Sequence, residues 1–237
     1  MPYRRLPNTD NARIRALKIA IEKNNTLFGQ DVIQLDIRKL ETLLRNFENA
    51  QVRYRTSLER QASANKKFQK LVKSARLYIS HFIQVLNFCV IRSEIKKEHK
   101  QLYNLEADDY TVPDLISNDS ILYWGENLIK GEQLRLSQGG APIYNPAIAR
   151  VNVAFSQFKD AYFAQKTHQN TTNRELETLS NQRDDIDYVL ATLWNQIETA
   201  FANLPNKERI ERCKEYGIVY YLRREEKEKL EKEGENN

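Results

Sequence analysis

From Gln30 to Val112 the chain contains no glycine and no proline, the two residues that most often end regular structure. Apolar side chains recur in this stretch at steps of three and four, which places them on one stripe of a helix. They are Ile33, Ile37, Leu40, Leu44, Phe47, Tyr54, Leu58, Phe68, Val72, Ala75, Ile79, Phe82, Leu86 and Cys89. A stripe of this length must be buried against other helices, so the sequence predicts an all-α protein.

The stripe is interrupted from Glu59 to Lys67, where the sequence ERQASANKK is polar or small. A single helix of about 60 residues would be roughly 90 Å long. We therefore expect a tight turn here, which gives a hairpin of two helices over about 31–60 and 65–101. One continuous, locally exposed helix is the alternative.

The second half of the chain has a similar pattern. An apolar stripe starts after Asn145-Pro146, lapses at 165–173 (QKTHQNTTN) and returns until Leu204-Pro205. Thr172 and Glu175 have the spacing of a capping box, which favours a new helix start there. The sequence thus predicts a second hairpin.

The halves also match at an offset of 108 residues, which indicates an internal duplication, with repeats at 31–103 and 146–216. The alternative is that any two amphipathic hairpins align once an offset is chosen. Matching pairs include Phe47 and Phe155, Tyr54 and Tyr162, Leu71 and Leu179, and Asn87 and Asn195.

The predicted fold is one helical domain over 1–237: an antiparallel four-helix bundle made of the two long hairpins, with extra short helices. Short connections make consecutive helices antiparallel neighbours. The additional elements are an N-terminal helix beginning after Asn8-Thr9, a crossover over 102–145 with a short helix capped by Ser120, a short helix over 206–216, and a charged C-terminal tail over 223–237.

The net charge of +5 is unevenly distributed. Residues 1–103 contain 21 Lys and Arg against 9 Asp and Glu, whereas residues 104–237 contain 16 against 23. This asymmetry predicts either an anionic partner for the first half or charge pairing between the halves. We see no signal peptide and no membrane span, and the two cysteines form no disulfide framework, so we expect a cytoplasmic protein.

No residue pattern indicates a metal, a cofactor or a catalytic site. None of the three histidines follows a Glu by three positions, as di-iron bundles require, and no closely spaced Cys/His pairs are present. The acidic run Asp184, Asp185, Asp187 is expected to be a solvated face or a surface that pairs with the basic half. If the chain binds a small ligand or is an enzyme, we expect a pocket near Trp124, Trp194 and Gly139-Gly140.

The strongest local signal is a basic cluster at the predicted tip of the first hairpin. Between residues 53 and 76 the only acid is Glu59. A compact basic tip could bind phosphates or dock onto an acidic protein surface. The leading hypothesis is a non-enzymatic interaction or scaffold protein with a protein partner or self-association. The alternative is a nucleic-acid-binding module. The candidate residues are Arg53, Arg55, Arg60, Lys66, Lys67, Lys70, Lys73 and Arg76.

The opening PYRRLPNTD, followed by ARIRALKIA, WGENLIKGEQLR and GGAPIYNP, resembles uncharacterised all-helical bacterial proteins of similar length. The resemblance covers most of the chain and implies an all-α fold and a bacterial source. Since that group has no assigned activity, the resemblance carries no functional residue over to this chain.

Overall fold

The computed structural model describes residues 3–26, 36–221 and 223. Within these ranges the chain is all-α apart from two short strands and one isolated bridge. The elements are β1 (Tyr3–Arg4), α1 (Asp10–Thr26), α2 (Ile37–Ile91), a 3-10 helix (Lys97–Tyr103), α3 (Asn118–Ser137), α4 (Ile148–Ala200), α5 (Asn206–Glu215) and β2 (Tyr220–Tyr221). The predicted all-α class is confirmed.

The predicted first hairpin is wrong, because α2 is one helix of 55 residues. The polar run from Glu59 to Lys67 stays helical throughout. Glu, Arg, Gln, Ala and Lys, which dominate this run, are among the best helix formers. The lapse in the apolar stripe therefore reports a more exposed length of helix, without a turn.

The second hairpin is wrong for a related reason. α4 runs for 53 residues through the polar lapse, so no helix starts at Thr172. Two threonines in the lapse bond back along the helix: the Thr167 hydroxyl donates to the Phe163 carbonyl at 3.1 Å, and the Thr171 hydroxyl to the Thr167 carbonyl at 3.0 Å. These bonds occupy the hydroxyls without opening the helix. The helix begins at Ile148, two residues after the predicted Pro146.

The chain divides into two compact units. Unit 1 comprises residues up to Ser57 and those from Thr172 onward, so it holds α1, the first part of α2, the last part of α4, and α5. Its core is apolar and includes the buried residues Leu17, Phe47, Ile186, Leu190, Trp194 and Ile197. Burial of these faces is the main favourable term in forming the unit.

Unit 2 comprises Leu58–Thr171 and holds the rest of α2 and α4, the 3-10 helix and α3. Its core includes Phe68, Ile79, Phe82, Leu86, Leu128, Phe155 and Phe158. Two glycines in α3 allow close packing. A Cβ on Gly125 would lie 2.2 Å from the Phe155 ring, and one on Gly131 would lie 2.7 Å from the Leu102 carbonyl.

The helix ends follow recognisable capping rules. The Thr9 hydroxyl accepts a hydrogen bond from the Ala12 amide at 3.2 Å, which confirms the predicted start of α1. Ser117, and not the predicted Ser120, caps α3 by accepting from the Ser120 amide at 2.9 Å. At the other end of α3, Gly139 has φ +85°, and the Gly140 amide reaches back to the Arg135 carbonyl, as in a Schellman motif.

The short helix predicted at 206–216 is confirmed as α5, which is followed by Gly217 with φ +85°. Helix α2 ends ten residues before the predicted position 101, because Ser93 takes a left-handed conformation with φ 61°. The pairing of β1 with β2 was not predicted. Residues 31–35, where the first long helix is predicted to start, and the predicted tail beyond Arg223 lie outside the described residues.

Candidate interaction surfaces and binding clefts

The eight predicted basic residues do not form a hairpin tip, because they lie along the continuous α2. Arg53 belongs to unit 1 and pairs with Glu175 at 3.2 Å. Arg76 belongs to unit 2 and donates to the Leu115 and Ile116 carbonyls at 2.9 and 3.0 Å. Arg55 also has an interaction partner. The structure thus places three of the eight in protein contacts.

The remaining five are exposed in unit 2 and make no hydrogen bond or ion pair with other described residues. They are Arg60, Lys66, Lys67, Lys70 and Lys73. Three of them, Lys66, Lys70 and Lys73, share one face of the helix by their spacing. The predicted basic surface therefore survives in a smaller form, from Arg60 to Lys73, with Lys66, Lys70 and Lys73 on one face over two turns of α2.

This basic face continues into exposed apolar side chains, and we call the whole row the α2 stripe. Leu77, Phe88 and Ile91 are 64%, 56% and 60% exposed, although the opposite side of the same helix is buried in the core. The spacing of three or four residues keeps the row on one face. It contains Lys66, Lys70, Lys73, Leu77, His81, Gln84, Phe88 and Ile91, all exposed.

Unit 2 also contains a buried charged network that the sequence analysis missed. Arg135 and Glu132 are 2% and 0% exposed and pair through Arg135 Nη2 and Glu132 Oε1 at 2.7 Å. The Tyr103 hydroxyl donates to Glu132 and accepts from Arg135 Nε. Burial, and then the hydrogen bond to Glu132, raises the pKa of Tyr103 well above its ordinary value. The phenol is therefore a donor across the ordinary pH range.

In unit 1, charged side chains from the two halves of the sequence pair with each other, but only the first of the following two pairs joins a cation of the basic half to an acid of the acidic half, as the predicted charge pairing requires. Arg13 binds Asp187 through two hydrogen bonds of 2.8 and 2.7 Å. Arg183 binds Asp10 in the same way, at 2.7 and 2.8 Å. The acidic run around Asp184 is thus partly a pairing surface and partly exposed, since Asp184 and Asp185 face solvent.

The acidic loop before α3 is held by local contacts. Asp108 pairs with Lys97 at 3.0 Å, and Asp109 accepts from the Thr111 amide at 2.8 Å. Lys100 is fully buried, donates to the Asp109 carbonyl and lies 4.3 Å from the Tyr110 ring centroid. Burial lowers the pKa of Lys100. Over residues 3–26, 36–221 and 223, no three His, Cys, Asp or Glu side chains are grouped to hold a metal.

Two of the described clefts, each within one unit, contain part of the pocket predicted near Trp124, Trp194 and Gly139-Gly140. One, in unit 2, has a volume of about 520 Å³ and is lined by Gly140 among others. The other, in unit 1, has a volume of about 490 Å³ and is lined by Trp194. Trp124 lines neither of them.

The two clefts differ in the state of their charged residues. In the unit 2 cleft, Arg92 pairs with Glu94 at 2.7 Å, and Arg135 pairs with buried Glu132. The unit 1 cleft is lined by Arg5, Arg15 and Lys214, none of which has a side-chain partner among the described residues. The unit 2 cleft thus has one lining cation, Lys96, without a side-chain partner in the described part of the chain, whereas the unit 1 cleft has three and no acidic residue.

Both cysteines are free and buried. Burial is the main factor that raises the pKa of Cys89 and of Cys213. A raised pKa keeps each group as a thiol, the less nucleophilic form. Neither cysteine therefore has the environment of an activated nucleophile.

By length and composition alone, α2 includes one 18-residue window that could cross a membrane, and 44% of that window is buried within the protein. The apolar faces of core helices pass the same test.

Comparison with known proteins finds no matching family model, no matching curated protein and no matching solved structure.

Proposed function

We propose that this is a non-enzymatic interaction protein that self-associates through the α2 stripe. The observation that carries the proposal is the exposure of Leu77, Phe88 and Ile91 on one outward helix face. The outer face of a soluble helix is normally polar. Phe88 lies three helical turns after Leu77 and Ile91 lies one turn further, so the three share one face, and an exposed apolar face is the pattern by which one helix docks on another.

The charge order along the stripe favours an antiparallel second copy. Lysines occupy its N-terminal end and apolar residues its C-terminal end. Parallel pairing would set the lysines of both copies against each other, whereas antiparallel pairing sets Lys70 of one copy near Phe88 of the other. The lysine stems then cover apolar surface while their ammonium groups stay in water. The resulting contact is two-fold symmetric, as in most homodimers.

Sedimentation velocity over concentrations from about 1 µM to about 1 mM tests this proposal. We expect a monomer–dimer equilibrium that the triple variant Leu77→Gln, Phe88→Gln, Ile91→Gln weakens by tenfold or more. The matched control is Val52→Gln, because Val52 is 62% exposed on the same helix but outside the stripe. A wild-type protein that stays monomeric throughout contradicts the proposal.

The alternative function is nucleic-acid binding, and the five unpaired cations on α2 support it. Fluorescence anisotropy with short DNA and RNA at about 50 and 200 mM salt measures the number of neutralised phosphates. In this alternative, reversal of Lys66, Lys67, Lys70 and Lys73 to Glu abolishes salt-sensitive binding. Reversal of four exposed cations elsewhere, Lys39, Arg45, Arg150 and Lys207, leaves most of it. Equal losses from both variants would indicate non-specific attraction by net charge.

We also propose that the chain is an internal duplication in which each repeat is a short helix, a long helix and a second short helix. The element starts support this. At the offset of 108, the start of α1 at Asp10 corresponds to the start of α3 at Asn118. The positions of α2 correspond to 145–199, and the observed α4 covers Ile148–Ala200. The positions of the 3-10 helix correspond to 205–211, and the observed α5 covers Asn206–Glu215. Each unit then has four helical segments, which is our revised form of the predicted four-helix bundle.

A cytoplasmic location belongs to the same proposal. Two free, buried cysteines are compatible with a reducing compartment. The apolar window of α2 is assigned to the core and to the α2 stripe, and flotation with lipid vesicles tests that assignment. If the protein floats with the vesicles and the triple stripe variant does not, the α2 stripe would instead be a membrane-facing surface.

A further inference from the structure

The unit 1 cleft is assembled from three short lengths of chain. These are the residues after β1, the first turns of α1, and the end of α5 with the segment after it; Trp194 of α4 lines the cleft beside them. The Arg5 amide donates to the Val219 carbonyl at 2.8 Å, which extends the β1–β2 contact to the edge of the cleft. Backbone hydrogen bonds therefore hold together the two chain segments that form this edge of the cleft.

Gly217 sets the path of the third segment. Its amide donates to the Lys214 carbonyl at 2.9 Å, and the Ile218 amide reaches back to the Cys213 carbonyl at 3.4 Å. This is a Schellman end for α5, with Gly217 in the left-handed region at φ +85°. A Cβ at Gly217 would lie 3.4 Å from Ile19, so the chain turns directly over α1.

The lining is largely apolar, with one polar group left unsatisfied. Pro7, Ala16, Ile19 and Ile218 contribute apolar surface. Trp194 is fully buried beside them, and its indole Nε1 has no hydrogen-bond partner in the described part of the chain. Buried donors without partners are uncommon in proteins.

The cationic side chains of the cleft differ from their neighbours. Arg4 binds Asn195 and Glu198, and Arg13 binds Asp187, so both have carboxylate partners nearby. Arg5, Arg15 and Lys214 are exposed, and no acidic residue lines the cleft with them. Three like charges around one concavity repel one another and attract an anion.

We propose that this cleft binds a small organic anion, with its apolar body against the exposed side chains of Ile19 and Val219 and its acidic group at Arg5, Arg15 and Lys214. The volume of about 490 Å³ lies within the range of small-molecule sites. The apolar lining excludes inorganic anions as the main occupants, because they would leave that surface without a partner. The unpaired cations favour an anionic amphiphile over a neutral or positively charged one with the same apolar body.

Calorimetric titration of the full chain with decanoate tests the proposal, with decanol and decyltrimethylammonium as probes of the same chain length. We expect decanoate to bind with a Kd below about 1 mM and at least tenfold more tightly than either of the other two. A Trp124→Phe variant leaves Trp194 as the only tryptophan, and its fluorescence should change on decanoate binding. Equal affinity for all three head groups, or no binding of decanoate, overturns the proposal.

Variants locate the site. Arg15→Gln with Lys214→Gln should weaken decanoate binding by about tenfold or more, since charge-assisted contacts are lost. Lys207→Gln with Arg150→Gln removes the same charge from exposed positions outside the cleft and should leave the affinity unchanged. An equal loss of decanoate affinity in both double variants contradicts the assignment of the anion to this cleft. The Gln substitutions of the α2 stripe should not alter decanoate binding, so this inference and the self-association proposal can fail separately.

Discussion

The two units use charged residues in different ways. Unit 1 joins distant parts of the sequence with bidentate pairs that are partly exposed. Asp187 and Arg183 are 34% and 31% exposed, and their partners Arg13 and Asp10 are 11% and 17% exposed. Unit 2 places Glu132 and Arg135 in its interior at 0% and 2% exposure. A surface pair that loses one partner leaves a charge that water can solvate, whereas a buried pair leaves one that it cannot. The same chemical contact should therefore matter several times more in unit 2.

Under the proposed duplication, the buried network of unit 2 has no counterpart at the matching positions of unit 1. At the offset of 108, Glu132 corresponds to Asn24, and Tyr103 corresponds to Glu211. Asn24 Oδ1 is buried without a hydrogen-bond partner among the described residues.

The two tryptophans allow the stability of the two units to be compared, because Trp124 lies in unit 2 and Trp194 in unit 1. Single-tryptophan variants then report on each unit separately.

The largest expected effect is that of Glu132→Gln. It leaves the Arg135 charge buried and uncompensated, so we expect a loss of about 3–5 kcal/mol in the free energy of unfolding. Urea unfolding of a Trp194→Phe background, followed by Trp124 fluorescence, measures it. The control is Glu126→Gln on the same helix, whose carboxylate is 42% exposed. A double variant with Arg135→Met should recover much of the loss; no recovery would contradict the charge argument.

Gly131→Ala tests the close packing of unit 2. The added Cβ would lie 2.5 Å from the Tyr103 ring and 2.7 Å from the Leu102 carbonyl, and this backbone cannot move aside easily. Overpacking costs about 1–3 kcal/mol or more, against a helix preference of about 1 kcal/mol for Ala over Gly. We expect a net loss of about 2 kcal/mol by the same measurement. Lys130→Ala, at the exposed neighbouring position, should change stability by less than about 0.5 kcal/mol.

In unit 1, Asp187→Asn should cost less. Arg13 is only 11% exposed, but it still has Asp10 at 3.6 Å when Asp187 is neutral, so we expect about 1 kcal/mol, near the upper end for surface pairs. Urea unfolding of a Trp124→Phe background, followed by Trp194 fluorescence, measures the change. Asp185→Asn removes an exposed acid two residues away and is the control. Because surface pairs are screened by salt, the difference should shrink in about 1 M NaCl; a loss as large as that of Glu132→Gln would remove the contrast between the units.

The all-α class could be predicted because it depends on local properties: the absence of Gly and Pro over most of the first half and the helical spacing of apolar residues. The hairpins could not. The run from Glu59 to Lys67 lacks apolar residues but consists of good helix formers, and only tertiary packing decides whether such a run bends. In the structure it remains inside α2.

The candidate sites were less predictable than the fold. Glu132 and Arg135 are three residues apart on a helix and look in sequence like an ordinary surface pair; only the packing of α3 buries them. The unit 1 cleft combines residues near 5, 15 and 214, which no local pattern connects. The basic cluster on α2 was found because its charges are contiguous, but its partners Glu175 and Leu115 lie far away in sequence.

The smallest expected effect concerns an exposed pair of unit 2. Lys159 binds Glu126 at 2.6 Å, with 40% and 42% of the two side chains exposed. The hydrogen bond from Lys159 lowers the pKa of Glu126. Because the folded-state pKa is lowered, the pair stabilises the fold above the ordinary Glu pKa, and this contribution is lost as the pH falls through the folded-state value. An NMR titration of the Glu126 carboxyl carbon should show its pKa rise in Lys159→Gln, while the stability reported by Trp124 changes little. A large fall in stability would mean that unit 2 also relies on its surface pairs, and that burial alone does not explain the difference between the units.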